Sequence, residues 1–219
     1  MNPAPNKTAD RILTINHTTA SLDPAQFDEP SWKLAQPVKI ESYWSGRVAP
    51  PGRHAEARIL WSDKALHLRF VCRQSEPLVI NPQPDKSKKA MGLWDRDVCE
   101  IFIAPDPQVI ERYLEFEAAP TGEWLDVAIQ WSKEKRESDW AFDSHMTAAG
   151  RIEKNRVTIG MRIPWNDWIH SPQRGERWRG NLFRCVGTDP DRGYLAWQPT
   201  RTPEPNFHVP QAFGWFIFA

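Results

Sequence analysis

From Ala55 to Cys72 the apolar side chains alternate: Ala55, Ala57, Ile59 and Trp61 fall on one face with Glu56 and Arg58 on the other, and beyond Ser62-Asp63-Lys64 come Leu66, Leu68, Phe70 and Cys72 against His67, Arg69 and Arg73. A period of two sends successive side chains to opposite faces of a strand. The segment therefore reads as a β-hairpin with one apolar and one wet face. Val157, Ile159, Met161 and Ile163 repeat the pattern against Arg156, Thr158 and Arg162, after a turn at Glu153-Lys154-Asn155. Further strands are predicted near 38–43, 98–103, 112–118, 124–130, 145–152, 181–187, 194–197 and 215–218. A 3.6-residue period is almost absent, and Pro164 to Trp168 offers one helical turn at most. Short strands separated by turn signals predict an all-β chain, an antiparallel two-sheet β-sandwich.

A sandwich of 219 residues has room for one sizeable core, so residues 19–219 are expected to form one domain, preceded by an arm or edge strand over 1–18. The 28 basic and 28 acidic residues cancel, which leaves no net field to attract nucleic acid or an anionic membrane surface. No run approaches the roughly 20 apolar residues of a membrane span. The start MNPAPNKTADRIL lacks the apolar centre of a secretion signal. Cys72, Cys99 and Cys185 each lie inside an apolar segment without metal-site spacing, and read as buried free thiols.

Two long connections interrupt the strands, Pro77 to Gly92 and Pro199 to Gly214. Connections of this length inside a compact domain tend to carry function. The first ends in Leu93-Trp94-Asp95-Arg96-Asp97, and the second carries Asn206-Phe207-His208. A sugar ring presents apolar C–H faces and a rim of hydroxyls, so its binder needs flat aromatics with charged or amide groups beside them. Strand alternation adds a polar row: Glu100 opposite Ile101 and Ile103, Glu115 and Glu117 opposite Leu114 and Phe116, and Arg184 between Phe183 and Cys185. The alternatives are loop aromatics that only pack, and a solvated sheet face with an Arg–Glu pair across strands.

Five stretches in order resemble the family 9 carbohydrate-binding modules, members of the wider DOMON-like sandwiches. LWDRDVCEIFIAP from Leu93 to Pro105 is similar to the family's W-E-x-D-x-V-E-I-F-I stretch, AEARILWSDKALHLRFVC to its early hairpin, VTIGMRIPW to a later strand, LAWQPTRTPEPNFHVPQAFGWFIF to its closing segment, and DPAQFDEPSW to its opening. The resemblance implies a two-sheet sandwich in which two aromatics clamp a mono- or oligosaccharide, often the reducing end of a β-glucan or xylan chain. By position it implies that Trp94 is the first clamp aromatic, that Phe207 stands in place of a second Trp, and that Glu100 bonds the ligand. Arg184 falls where members have Gln, Glu115 and Glu117 where they have Arg and Asn, and His208 where they have Arg. It also implies a secreted or periplasmic protein, against the absence of a recognisable signal, and a monomer is expected.

Some members of the family carry structural calcium, and Asp23, Asp28, Glu29 and the Asp189-Pro190-Asp191 turn offer the oxygen ligands that calcium prefers. Two rival functions remain. Glu115 and Glu117 lie roughly 6.6–6.8 Å apart by backbone rise, near the carboxyl spacing of inverting glycosidases, but neighbours on one strand approach a glycosidic bond from the same side instead of flanking it. No nucleophile elbow, H-E-x-x-H or phosphate loop is present. A DOMON-like haem carrier would use Met91 and His208 as axial ligands, in a pocket that Glu100, Glu115, Glu117 and Arg184 would make polar. A non-catalytic carbohydrate-binding module is the reading the sequence favours.

Overall fold

The structure, a computed structural model, describes residues 12–133 and 135–219. In chain order the strands are β1 (Ile12–His17), β2 (Val38–Ile40), β3 (Ser42–Tyr43), β4 (Ala55–Trp61), β5 (Ala65–Arg73), β6 (Val98–Ala104), β7 (Arg112–Ala118), β8 (Trp124–Ser132), β9 (Lys135–Asp139), β10 (Thr147–Glu153), β11 (Arg156–Pro164), β12 (Arg177–Val186), β13 (Gly193–Ala196) and β14 (Gly214–Phe218). The back sheet runs β10-β11-β5-β4 with β2 beside β4, and the front sheet runs β14-β12-β6-β7-β8-β9 with β13 and β3 on its flank.

β1 joins the two sheets. Ile12–Ile15 pairs in parallel with Trp215–Phe218, and Asn16–His17 pairs in parallel with Leu60–Trp61. The sandwich is therefore mixed where an antiparallel one was expected, and residues 12–17 are a strand whose first four residues border the front sheet and whose last two border the back sheet. The rest of the expected arm, residues 1–11, lies outside the described residues. Pro164 closes β11 and the next residues bend without a helical turn. No helix among the described residues is long and apolar enough to cross a membrane.

The alternation read from the sequence is realised in the packing. Ile59, Trp61, Leu68, Phe70, Ile159 and Met161 of the back sheet meet Ile101, Ile103, Leu114, Phe116 and Leu182 of the front sheet in one interior cluster. Cys72 and Cys99 meet within that interior with their Sγ atoms 3.4 Å apart, and all three cysteines are free and buried. A second cluster lies on the outer face of the front sheet, where Val98, Phe102, Tyr113, Val127 and Phe183 are covered by Leu93, Phe207 and Phe213 from the two long connections. Strands β6 and β7, apart from Arg112 at the start of β7, are thus buried on both faces, as a central strand covered on both sides must be. A carboxyl placed on either face of these strands is necessarily taken out of water.

Candidate functional site

The two long connections leave a cavity of about 280 Å³ over the outer face of the front sheet, lined among others by Trp94, Glu100, Glu115, Trp140, Phe207 and His208. Trp94 sits in a short 3-10 turn, Leu93–Asp95, entered through Gly92 in a left-handed conformation (φ 75°) that favours glycine. Arg192 holds this turn. Its guanidinium donates to the carbonyls of Trp94 (2.8 Å), Asp95 (3.2 Å), Arg96 (2.5 Å) and Gly187 (2.8 Å). Trp94 is 39 % exposed and Trp140 is 41 % exposed, and their ring centroids stand 5.8 Å apart at 40°. Trp140 follows β9, which has no apolar alternation for a sequence reading to detect, so both were missed.

Phe207 lines the cavity in a different way. It is buried and stacked on Phe183, with centroids 4.0 Å apart and planes 13° from parallel. It forms a wall, while the second exposed aromatic is Trp140. His208 lies against Phe102, accepts or donates at Nδ1 with the Tyr113 hydroxyl at 3.0 Å, and points Nε2 toward Glu115 at 3.9 Å. Burial pushes the His208 imidazole down to about 3, so it is neutral at physiological pH.

Beneath the aromatics lie Glu100, Glu115 and Glu117. Glu100 is the cross-strand partner of Glu117, and one carboxyl oxygen from each of the three can be chosen so that all lie within 4.8 Å of one another. All three side chains are buried. Burial pushes Glu115 up to about 7 and holds Glu100 and Glu117 well above the ordinary carboxylate range, with the neighbouring carboxyls adding to the effect at Glu100 and Glu117. The three expected on one face are brought together, side by side on one floor.

Arg184 is the correction. β12 pairs with β6 so that Phe183 stands opposite Glu100 and Arg184 opposite Cys99, which turns Arg184 away from the carboxyls and toward the space between the sheets. There its guanidinium donates to the carbonyls of Arg53 (2.7 Å), His54 (3.2 Å) and Arg73 (2.8 Å) and to Gln74 Oε1 (2.7 Å). Gln74 in turn donates to Asp97, which accepts from the Gly187 amide at 2.8 Å. Arg184 thus closes one end of the sandwich and does not reach the cavity.

The calcium candidates do not gather. Asp28 is held by Arg151 at 2.6 Å and 3.2 Å, and Asp23 accepts the Ala25 amide at 2.9 Å. Among the described residues the one group of three or more side chains placed to share an ion is Glu100, Glu115 and Glu117, and it includes none of Asp23, Asp28, Asp189 or Asp191. Those four do not fit a common ion. Met91 is exposed and outside the cavity lining, so it does not pair with His208 across that space.

A family profile for carbohydrate family 9 binding domain-like sequences matches residues 25–218. The chain belongs to this family. Similar solved structures include a protein of Bacteroides uniformis presumed to bind carbohydrate, at 17 % identity and a TM-score of 0.74, with 96 % of this chain and 100 % of that one covered. A family 9 carbohydrate-binding module of Caldicellulosiruptor kristjanssonii in complex with glucose superimposes with a TM-score of 0.66 at 13 % identity, covering 95 % of this chain and 96 % of that one. A structure of such a module from the same organism with cellotriose gives 0.66 at 12 % identity, with 95 % and 93 % covered. At these identities the likeness shows the fold. No curated protein matches the chain.

Proposed function

We propose that this family 9 domain is a non-catalytic module that seats one or two units of a β-glucan or xylan chain in the cavity over the front sheet. The reading is carried by two half-exposed tryptophans, Trp94 and Trp140, standing 5.8 Å apart at the rim of a cavity floored by buried carboxyls. Tryptophan faces offer the apolar area that a pyranose ring covers, and the carboxyls Glu100 and Glu115 supply acceptors for hydroxyls. The cavity, about 280 Å³, lies at the lower end of the roughly 300–1,000 Å³ usual for ligand pockets, which favours a short sugar or a chain end over a long internal segment. Glucose and cellotriose occupy the similar Caldicellulosiruptor modules, which supports the same class of ligand here. We read residues 19–219 as one carbohydrate-binding unit acting as a monomer, with β1 as its structural seam.

Titration calorimetry with glucose, cellotriose, xylose and xylotriose tests the reading. The expected result is saturable binding of at least one of them that Trp140→Ala weakens while circular dichroism stays unchanged. Absence of binding by all four, or binding indifferent to both Trp94→Ala and Trp140→Ala, would place the ligand elsewhere.

A further inference from the structure

We infer that Glu100, Glu115 and Glu117 form a divalent-cation site of the calcium class at the floor of the cavity. Carboxylates are hard oxygen donors of the kind calcium and magnesium select, and here three come from two adjacent, rigid strands with an oxygen of each within 4.8 Å of the others. The decisive side chain is Glu117. It is completely buried, and neither of its carboxyl oxygens meets a donor from an amide, hydroxyl or basic side chain; its neighbour is the carboxyl of Glu115, and two carboxylates side by side repel each other unless a cation or a proton lies between them. Buried polar atoms are nearly always paired, so an orphaned one calls for an explanation, an absent ion among them.

No described Lys or Arg forms an ion pair with any of the three; the nearest basic side chain is His208, whose Nε2 stands 3.9 Å from Glu115. Arg136 and Arg192 act on them only through space. Glu100 and Glu115 also line the cavity, which gives an ion a path from solvent. A buried set of three carboxylates suits calcium, which takes six to eight oxygen ligands in flexible geometry, better than magnesium, which dehydrates reluctantly and keeps several waters.

The test uses the full chain, stripped with a chelator, desalted and titrated with calcium chloride in the absence of saccharide, with magnesium chloride in parallel. The expected result is one calcium per chain, a raised Tm, and magnesium binding weaker by about tenfold or more. Glu117→Gln keeps side-chain shape and removes one charged ligand, and should weaken calcium by about tenfold or more, while Asp189→Asn with Asp191→Asn leaves it unchanged. If Glu117→Gln does not fold, Glu100→Gln serves in its place. Absence of calcium binding, or binding that both Glu→Gln variants retain, overturns the site. Because no sugar is present, this result is independent of whether the cavity takes saccharide.

Discussion

Both sheets carry a polar row on their outward faces, and the two rows have different fates. On the back sheet the row is largely cationic and is covered by the segment around Trp32, where Arg58, Arg69 and Arg151 each find an acceptor. Arg58 donates to the carbonyls of Trp32 and Ala35 at 3.2 and 2.9 Å, Arg69 to the Phe27 carbonyl at 2.6 Å, and Arg151 to Asp28. Arg69 also lies over the Trp32 ring and Arg151 over the Phe27 ring. On the front sheet the row is acidic, its cover leaves a cavity, and Glu117 has no donor from an amide, hydroxyl or basic side chain. Alternation produces both rows; partner supply makes one structural and leaves the other for a ligand. Burying polar groups without partners lowers stability, so the front face is where stability has been given up.

The difference can be broken most forcefully at the back cover. Trp32, buried against Leu22, Ala35 and Leu60, anchors it, and Trp32→Ala should cost about 3–5 kcal/mol by leaving a cavity, seen as a lower urea midpoint, with saccharide affinity unchanged below the transition. A loss of affinity at full folding would show that the two faces are coupled.

Next in size is an acid effect on the same face. His67, buried and hydrogen-bonded to Ser62, is pushed down to about 4, chiefly by burial and then by Arg162. Its folded value lies below its unfolded value, so its contribution is complete above about pH 6.5 and is lost as pH falls through about 4, at most about 3 kcal/mol. Stability measured from pH 7 to 4 should fall less steeply in His67→Gln than in the parent. Parallel curves would remove His67 from the account.

On the front face the expected signature reverses. Trp94→Ala should reduce saccharide affinity by about 1–3 kcal/mol, by analogy with base–aromatic stacking, and leave the unfolding midpoint nearly unchanged, because the ring is 39 % exposed. A stability loss without an affinity loss would make Trp94 a packing residue. The smallest effect belongs to Arg58→Met, which removes two carbonyl contacts and one to Glu56; a destabilisation of about 1 kcal/mol with unaltered binding is expected in the same two assays.

Much of the fold was legible because alternation is local. The β4–β5 and β10–β11 hairpins, the carboxyl row on β6 and β7, and the placing of Trp94 at the end of the first long connection and Phe207 within the second all follow from period and turn chemistry. Arg184 was misplaced because its partner depends on how β12 registers against β6, a long-range pairing that no window of sequence contains. Trp140 was missed because β9, KRESD, is polar throughout and is a strand through its pairing with β8. Phe207 was given a stacking role that Phe183 takes from it, since the two rings meet only when the closing connection folds over the front sheet.

The sequence by itself therefore determined which side chains share a strand face, the β-rich architecture and the family, because those depend on neighbours one or two residues apart. Tertiary structure alone decided that β1 stitches the two sheets in parallel, that Arg184 seals one end of the interior, and that three carboxyls from two strands stand within 4.8 Å of one another and out of water. Those outcomes rest on register and on which loop covers which face, and burial acts on a charge only after both are settled.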